Sequence, residues 1–510
     1  MPYRSKTQER DYSGFVQPNI FEIGAMVIKA PKGKKTPVLC TSEEDILREY
    51  GAPSSSYPDI FEAIAFCSVA PCYISAPYHS DALFGGMDVQ ISGVNGFGTG
   101  RNIDTFSFDA FPDVSHAFFA TSPYTDNLVG KITYISGKKF KLDLYKSSSV
   151  GNELLNSYVY SLNIEKDAFG KSLYIMDVFD NNYYVIPKVN SNFTGTAYNL
   201  SGLTANFSGG TRGSEIDSAD ILAGWNNFRF ANKYPVRIMM DTRGDSAVTV
   251  NNLIQTYQPY AQGICAIPMG NNATEAVAFR QGLGIDSDDI GFYTNWAKIK
   301  DNYNNSFAWI SNIGSVGKKF AKMADVFDSG SPAGIDENGH GGQLADWEVI
   351  EVEYDYTDSD FNSELELLDD AQINPIIKDI NYGLMIYGDK TSQVTLSDTS
   401  YVGTRRVYKY IIKNIAEQVL RLQEFKNNDI PHRRTAKVKT EAILNPVRRE
   451  GGITDFKVVC DASNNTADVL DQRQFLLDVY VVAMANSQEV KLRFTRMPQG
   501  TINIEISAVS

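Results

Sequence analysis

The four histidines, His79, His116, His340 and His432, are the side chains best suited to bind a metal or move a proton near neutral pH. None has a second histidine at ligand spacing. His340 sits in DENGHGGQ beside Asp336 and Glu337, an incidental cation site or, more simply, a structured acidic loop. GFGTGR (96–101) lacks both the strand–turn–helix setting of a dinucleotide loop and a Walker spacing. GSVGKK (314–319) has its glycines three apart and no Ser or Thr after the lysines, so it reads as a surface turn. Cys40, Cys67, Cys72, Cys265 and Cys460 form no C-x-x-C pair and have no nearby histidine. They read as buried free thiols, the alternative being a Cys67–Cys72 disulfide. No G-x-S-x-G elbow occurs. No catalytic, cofactor-binding or metal residue is assigned, and an enzyme is not expected.

A chain of 510 residues implies two to four domains. Its net charge of -14 argues against general nucleic-acid binding and makes any assembly salt-sensitive. MPYRSKTQERDYSG has no apolar h-region of a signal peptide, and no run approaches the ~20 apolar residues of a membrane helix. A polar arm (1–19) precedes an apolar strand at 20–30. Ser42 and Asp45 suggest a capped helix through Tyr50, Pro58 opens a second, and CYISAPY (72–78) returns as a strand. From Phe84 to about 230 the texture turns to Gly, Ser, Asn, Phe and Tyr. Its strands are KITYIS (131–136), KFKLDLY (139–145), SLYIMDVF (172–179) and YYVIPKV (183–189). YPVRIMMD (234–241) restores the α/β pattern. A helix at 246–258, a strand at 264–269, a helix at 272–281 and a strand at 291–299 follow. Tyr408, Ile411, Ile412, Ile415, Val419 and Leu422 line one face of a long helix. Strands at 454–461, 475–483 and 489–496 close a small C-terminal sheet.

The fold class is therefore α/β (α+β), multidomain: a mixed-sheet core, an inserted β-rich domain and a small C-terminal sheet/helix domain. The expected boundaries are 1–19, 20–83, 84–230, 231–400, 401–499 and 500–510. In TINIEISAVS (501–510), Ile502, Ile504 and Ile506 alternate with polar residues. Ordering such a strand costs roughly 1–2 kcal/mol per residue, which a loose tail does not recover but a strand added to a neighbour's sheet does. Phe15, Ile20, Phe21 and Ile23 belong to the other candidate donor arm. Phe456, Val458, Val479, Val481, Val490, Leu492 and Phe494 belong to the acceptor sheet. Residues 336–370 are acidic without a Lys or Arg, whereas 405–449 are predominantly basic. These are two solvated faces, or complementary surfaces that meet between subunits or against a central partner. Arg405, Arg406, Lys409 and Lys413 are the candidate contacts, the alternative being that they brace their helix against the core.

Segments in a fixed order carry a family resemblance. They are GAMVIKAPKGKKTPVLCTSEEDILREYG (24–51) with YPDIFEAIAFCSVAPCYISAPY (57–78), DIGFYTNWAKI (289–299), and 306–342 leading into a Pro-Ala-Gly. INPIIKDINYGLMIYGDKTSQ (373–393) with YVGTRRVYKYIIKNIAEQVLRLQEFKNND (401–429), and GGITDFKVVCDASNNT (451–466), complete the set. The chain thereby resembles tail sheath proteins of contractile-tailed bacteriophages and related contractile injection systems. The insertion at 84–230 lies outside the resemblance. The resemblance implies a structural subunit that polymerises as a helical homo-oligomer around an inner tail tube protein and contracts to drive the tube through a cell envelope. It implies baseplate and tail terminator proteins as partners, no cofactor, no nucleic acid and no membrane insertion, in a virion assembled in the host bacterial cytoplasm. The rival classes are a cell-surface or carbohydrate-binding β module and a hydrolase with a dispersed site.

Overall fold

The computed structural model describes residues 22–90, 96–103, 114–120, 128–148, 151–179, 185–190, 203–323, 327, 331–334, 341–355 and 361–484. The chain opens with β1 (Gly24–Val27), β2 (Val38–Cys40), α1 (Glu43–Tyr50), α2 (Asp59–Cys67) and β3 (Cys72–Ser75). The Ser42 hydroxyl accepts the Asp45 N–H at 3.2 Å and starts α1. Pro58 stands at the N-cap of α2, where its missing N–H is not needed.

Two antiparallel sheets follow, built from β4 (Phe84–Gln90), β5 (Gly96–Arg101), β6 (Val114–Ala120), β7 (Leu128–Ser136), β8 (Lys139–Ser148), β9 (Gly151–Ser161), β10 (Ile186–Val189) and β11 (Leu203–Asn206). Their orders are β10-β6-β4-β5 and β11-β7-β8-β9. Met87 and Phe119 from one sheet share a core with Ile132, Phe140, Leu142 and Tyr160 from the other. The strand expected at 172–179 is instead a turn of helix, α3 (Ile175–Val178). The Ser172 hydroxyl donates to Asp177 at 2.5 Å and accepts the Tyr174 N–H, and this local closure outcompetes a ladder.

The chain then returns through α4 (Ser218–Asn226), β12 (Ile238–Asp241), α5 (Ala247–Thr256), β13 (Gln262–Ala266), α6 (Ala273–Gly282) and β14 (Ile290–Thr294). Ile221, Trp225 and Phe228 join the α/β core, so the return precedes residue 230. Beyond β14 come β15 (Ala297–Asp301), β16 (Ser306–Ile310), α7 (Ile313–Lys322), β17 (Val349–Val352), α8 (Phe361–Asp370), β18 (Ile373–Asp379) and β19 (Gly383–Ile386). The single strand expected at 291–299 is two. Asn295 takes φ 137°, its amide donates to the Tyr354 and Ile376 carbonyls, and the chain leaves the main sheet for β16-β15-β17.

The main sheet has the order β19-β18-β14-β13-β12-β1-β3-β2, parallel across its six central strands and antiparallel at both edges. Helices on both faces bury near-continuous apolar strands, as a parallel sheet requires. One face packs Met26, Ile74 and Met240 against α1, α2 and α7; the other packs Ala25, Val27 and Met239 against α4 and α5. GSVGKK is no surface turn: it forms the start of α7, buried from Gly314 to Gly317. All five cysteines are buried free thiols.

The C-terminal unit comprises α9 (Val402–Ile415), a π-helical turn at Ala416–Leu420, α10 (Ile430–Arg449), β20 (Ile453–Val459), α11 (Ala467–Asp471) and β21 (Asp478–Ala483). Val407 and Ile411 of α9, Ala436 and Leu444 of α10, and Ile453 and Val458 of β20 form its own core. Among the described residues no helix is long and apolar enough to cross a membrane.

Candidate subunit interface

In a doubly wound sheet ligands settle outside the carboxyl ends of the strands where the winding reverses. Here that point lies between β1 and β12, and the chain's own side chains fill it. Asp59 accepts the Lys29 N–H and the Thr242 hydroxyl, each at 2.8 Å, and faces Arg243 at 3.5 Å. Asp241 accepts the Ser246 N–H at 2.8 Å, and burial raises its pKa to about 7. His79, Asp217 and Asp220 each bring one potential metal-ligand atom within 4.8 Å of the others. Asp217 and Asp220 accept each other's backbone N–H to cap α4, and His79 Nδ1 faces Asp81 at 2.7 Å, so capping and pairing account for the group.

The cations expected to face a partner turn inward. Arg405 pairs with Asp288 at 3.2 Å and Asp289 at 2.9 Å. Lys409 pairs with Asp289 at 2.5 Å and donates to the Pro259 carbonyl at 2.8 Å. Burial alone would raise the Asp289 pKa, but Lys409 and Arg405 outweigh it and hold the carboxyl below its ordinary value. Arg406 donates to the Met323 carbonyl. Lys413 is buried beside Arg237 and Glu22 in a small cleft between α9 and the main sheet. As placed here, Arg405, Arg406, Lys409 and Lys413 brace α9 against the core, the alternative to their expected electrostatic contact with a tube or neighbour. Periodicity alone did not reveal this, because α9 buries charged residues on one side and aliphatic residues on the other.

Ile23 is likewise an internal residue. It is buried in the α/β core, and its carbonyl accepts the Arg237 N–H at 2.8 Å. Ile23, expected in a donor arm, is thus packed within its own chain. The other donors, Phe15, Ile20, Phe21, Ile502, Ile504 and Ile506, lie outside the described residues, as do Val490, Leu492 and Phe494.

The remaining acceptor residues come together in β20 and β21, paired antiparallel with Phe456 opposite Val481 and Val458 opposite Val479. These four side chains pack toward α9 and α10. The opposite face exposes Tyr480 and Val482 (59% and 56%). Asn465 fixes the ribbon by exchanging two bonds of 2.9 Å with the backbone of Leu476, and Asn464 accepts the Asp461 N–H at 3.0 Å. Among the described residues the ribbon has two strands and no third strand on either edge. Such a ribbon is marginal alone; a third strand adds main-chain bonds that do not depend on its side chains.

The fold and this site define an α/β chain with a small C-terminal ribbon that has two strands among the described residues. No family model matches the chain. The tail sheath protein of Vibrio phage KVP40 is 24% identical over 462 residues, covering 78% of this chain and 60% of that protein. The tail sheath protein of Enterobacteria phage T4 is 22% identical over 376 residues, covering 68% and 54%. The sheath tail protein of Listeria innocua superposes with a TM-score of 0.54 at 11% identity, covering 91% of this chain and 96% of its own. The chain is thus similar in sequence to phage tail sheath proteins, and it spans between half and two thirds of the length of these two curated phage relatives.

Proposed function

We propose that the chain is the structural subunit of a contractile tail sheath. It polymerises as a helical tube around an inner tail tube and contracts to drive that tube through a cell envelope. Baseplate and tail terminator proteins bound the tube at its ends, within a virion assembled in the host bacterium. The observation that supports this reading most is the likeness in fold to a sheath tail protein over nine tenths of the chain, with phage relatives of the same name. The β20–β21 ribbon gives the reading a mechanism. Its edges, unpaired among the described residues, suit a strand from an adjoining copy, and a repeated heterologous contact generates a ring or a helix. Backbone pairing persists while rigid bodies rotate, so two packings of one subunit can interconvert without separation. The extended packing is held kinetically, with better interfaces available in the contracted one.

Negative-stain microscopy of the purified chain tests the reading, with tubes or long filaments as the expected result. Deleting 501–510 should abolish the polymer and leave circular dichroism and melting nearly unchanged. Tubes from the truncated chain would show that this end donates no strand.

A further inference from the structure

Arg406, Lys409 and Lys413 share one face of α9 with Tyr410, because offsets of three, four and seven residues keep side chains within about 100° around a helix. All three cations are more than nine-tenths buried. This face closes over the amino ends of β12 and β13, where Arg237 and then Tyr260 and Gln262 line the same small cleft. Four cations there meet one carboxylate of the lining, Glu22. Just outside it, Asp289 holds Lys409 at 2.5 Å and Glu417 meets Arg237 at 3.4 Å; with both included, the cations still outnumber the carboxylates. In a chain of net charge -14 this is a local excess of the opposite sign.

Arg237 is held in place but not satisfied. Its Nη1 donates to the Val236 carbonyl at 3.2 Å, and its guanidinium lies 5.5 Å from the centre of the Tyr260 ring. Its buried Nε has no acceptor among the described residues. Burial also works against the charge on Arg237 and Lys409 and lowers the pKa of each. A buried, charged donor without an acceptor is costly, and an anion seated beside it offsets that cost.

We infer that the cleft binds one small tetrahedral oxyanion, of the class of inorganic phosphate or sulfate, between α9 and the amino ends of β12 and β13. Its donors come from two sides, the guanidinium from the strand ends and the ammonium groups from α9, and an oxyanion with acceptors on every side meets both. The cavity of about 40 Å³ admits a compact ion. It falls far short of the roughly 300 Å³ at which pockets for larger organic ligands begin. Because Arg237 stands at the sheet and Lys413 on the C-terminal unit, the ion also fastens one to the other. The site does not depend on how copies of the chain assemble.

Calorimetric titration of sodium phosphate into the full chain tests the site, at a fixed ionic strength of about 0.15 M with sodium chloride as the reference. One phosphate per chain should bind with a Kd of about 1 mM, and phosphate but not chloride should raise the melting temperature. Arg237→Met and Lys413→Met should each weaken binding about tenfold, as loss of a charge-assisted hydrogen bond implies. Arg434→Gln, an exposed cation on α10 outside the cleft, should leave binding unchanged. Circular dichroism checks the fold of each variant. Should Arg237→Met not fold, Arg237→Lys takes its place, since it keeps the charge and removes the guanidinium Nε. No heat beyond the chloride reference, or folded cleft variants that bind as tightly as the wild type, overturns the site. An equal loss in Arg434→Gln also overturns it, because the binding is then general charge attraction.

Discussion

At the scale of single residues, a few buried carboxylates tie distant elements together. Asp289, just ahead of β14, receives Lys409 and Arg405 from α9 and so ties the C-terminal unit to the main sheet. Removing one partner from a buried pair leaves the other charge without compensation. Asp289→Asn should cost about 3 kcal/mol in urea unfolding of the monomer near pH 7. Because the folded carboxyl lies below its ordinary value, its contribution is complete above about pH 4 and lost as pH falls through the folded pKa. Glu62 behaves in the opposite sense. Burial raises its pKa to about 7, although its oxygens accept the Gly314 N–H at 2.8 Å and the Ser311 hydroxyl at 2.9 Å. Asp241 and Asp389 are raised to about 7 for the same principal reason. Between about pH 4 and 7 the folded chain binds more protons on these groups than the unfolded chain, so their contribution to stability falls as pH rises. Glu62→Gln keeps an acceptor for Gly314 and a donor for Ser311. It should flatten the stability profile between pH 4.5 and 7, measured by unfolding at a series of pH values; an unchanged slope would assign the titration elsewhere.

At the scale of elements, Glu62 shows why α2 and α7 cross so closely. A Cβ on Gly314 would lie 2.0 Å from the Glu62 carbonyl oxygen, and one on Gly317 would lie 2.3 Å from the Met240 sulfur. Gly314→Ala should therefore cost about 3 kcal/mol or more and loosen α7, read as a lower melting temperature. This crossing was hidden in the sequence, where GSVGKK looks like a turn because small residues and lysines mark turns and tight helix contacts alike. What was legible were elements with strong local signals: the Ser42 cap, Pro58 before α2, and the apolar strands β12 and β13. The helix α10 was not read, yet Asp429 at its N-cap and Pro431 in its first turn are standard helix-start signals. Its sparse apolar spacing, Ala436, Thr440, Leu444 and Val447, hid it among the basic residues. The candidate interface was half legible. Apolar runs placed β20 and β21, but which way α9 turned its cations depended on Asp289, more than a hundred residues away in sequence.

At the scale of the whole molecule, the β-rich insertion leaves and rejoins the core through two strands of chain that are held together. Leu83 and Thr211 exchange backbone bonds of 2.9 and 2.8 Å, and Gly86 donates to Ser208 at 3.1 Å. Asp81 accepts both the Ser214 N–H at 2.9 Å and its hydroxyl at 2.7 Å. Side-chain hydrogen bonds from Ser214, its N–H and His79 depress the Asp81 carboxyl pKa. Lys29 pairs with Glu215, and Arg212 stacks on Tyr57 at 4.7 Å, so the junction is fastened on its core side as well. The insertion keeps its own apolar cluster, and among the described residues a small group around Tyr78, Ala82 and Phe84 bridges to it. Close termini and a separate core are the conditions under which a domain can be removed or moved. A chain in which residues 84–210 are replaced by a short Gly-Ser linker should retain the Asp81–Ser214 clasp, melt cooperatively and still form polymer. The excised segment 84–211, expressed alone, should give a β-type circular dichroism spectrum with its own cooperative melt. If the shortened chain folds but no longer polymerises, the insertion contributes to subunit contacts and the β20–β21 ribbon is not sufficient for assembly.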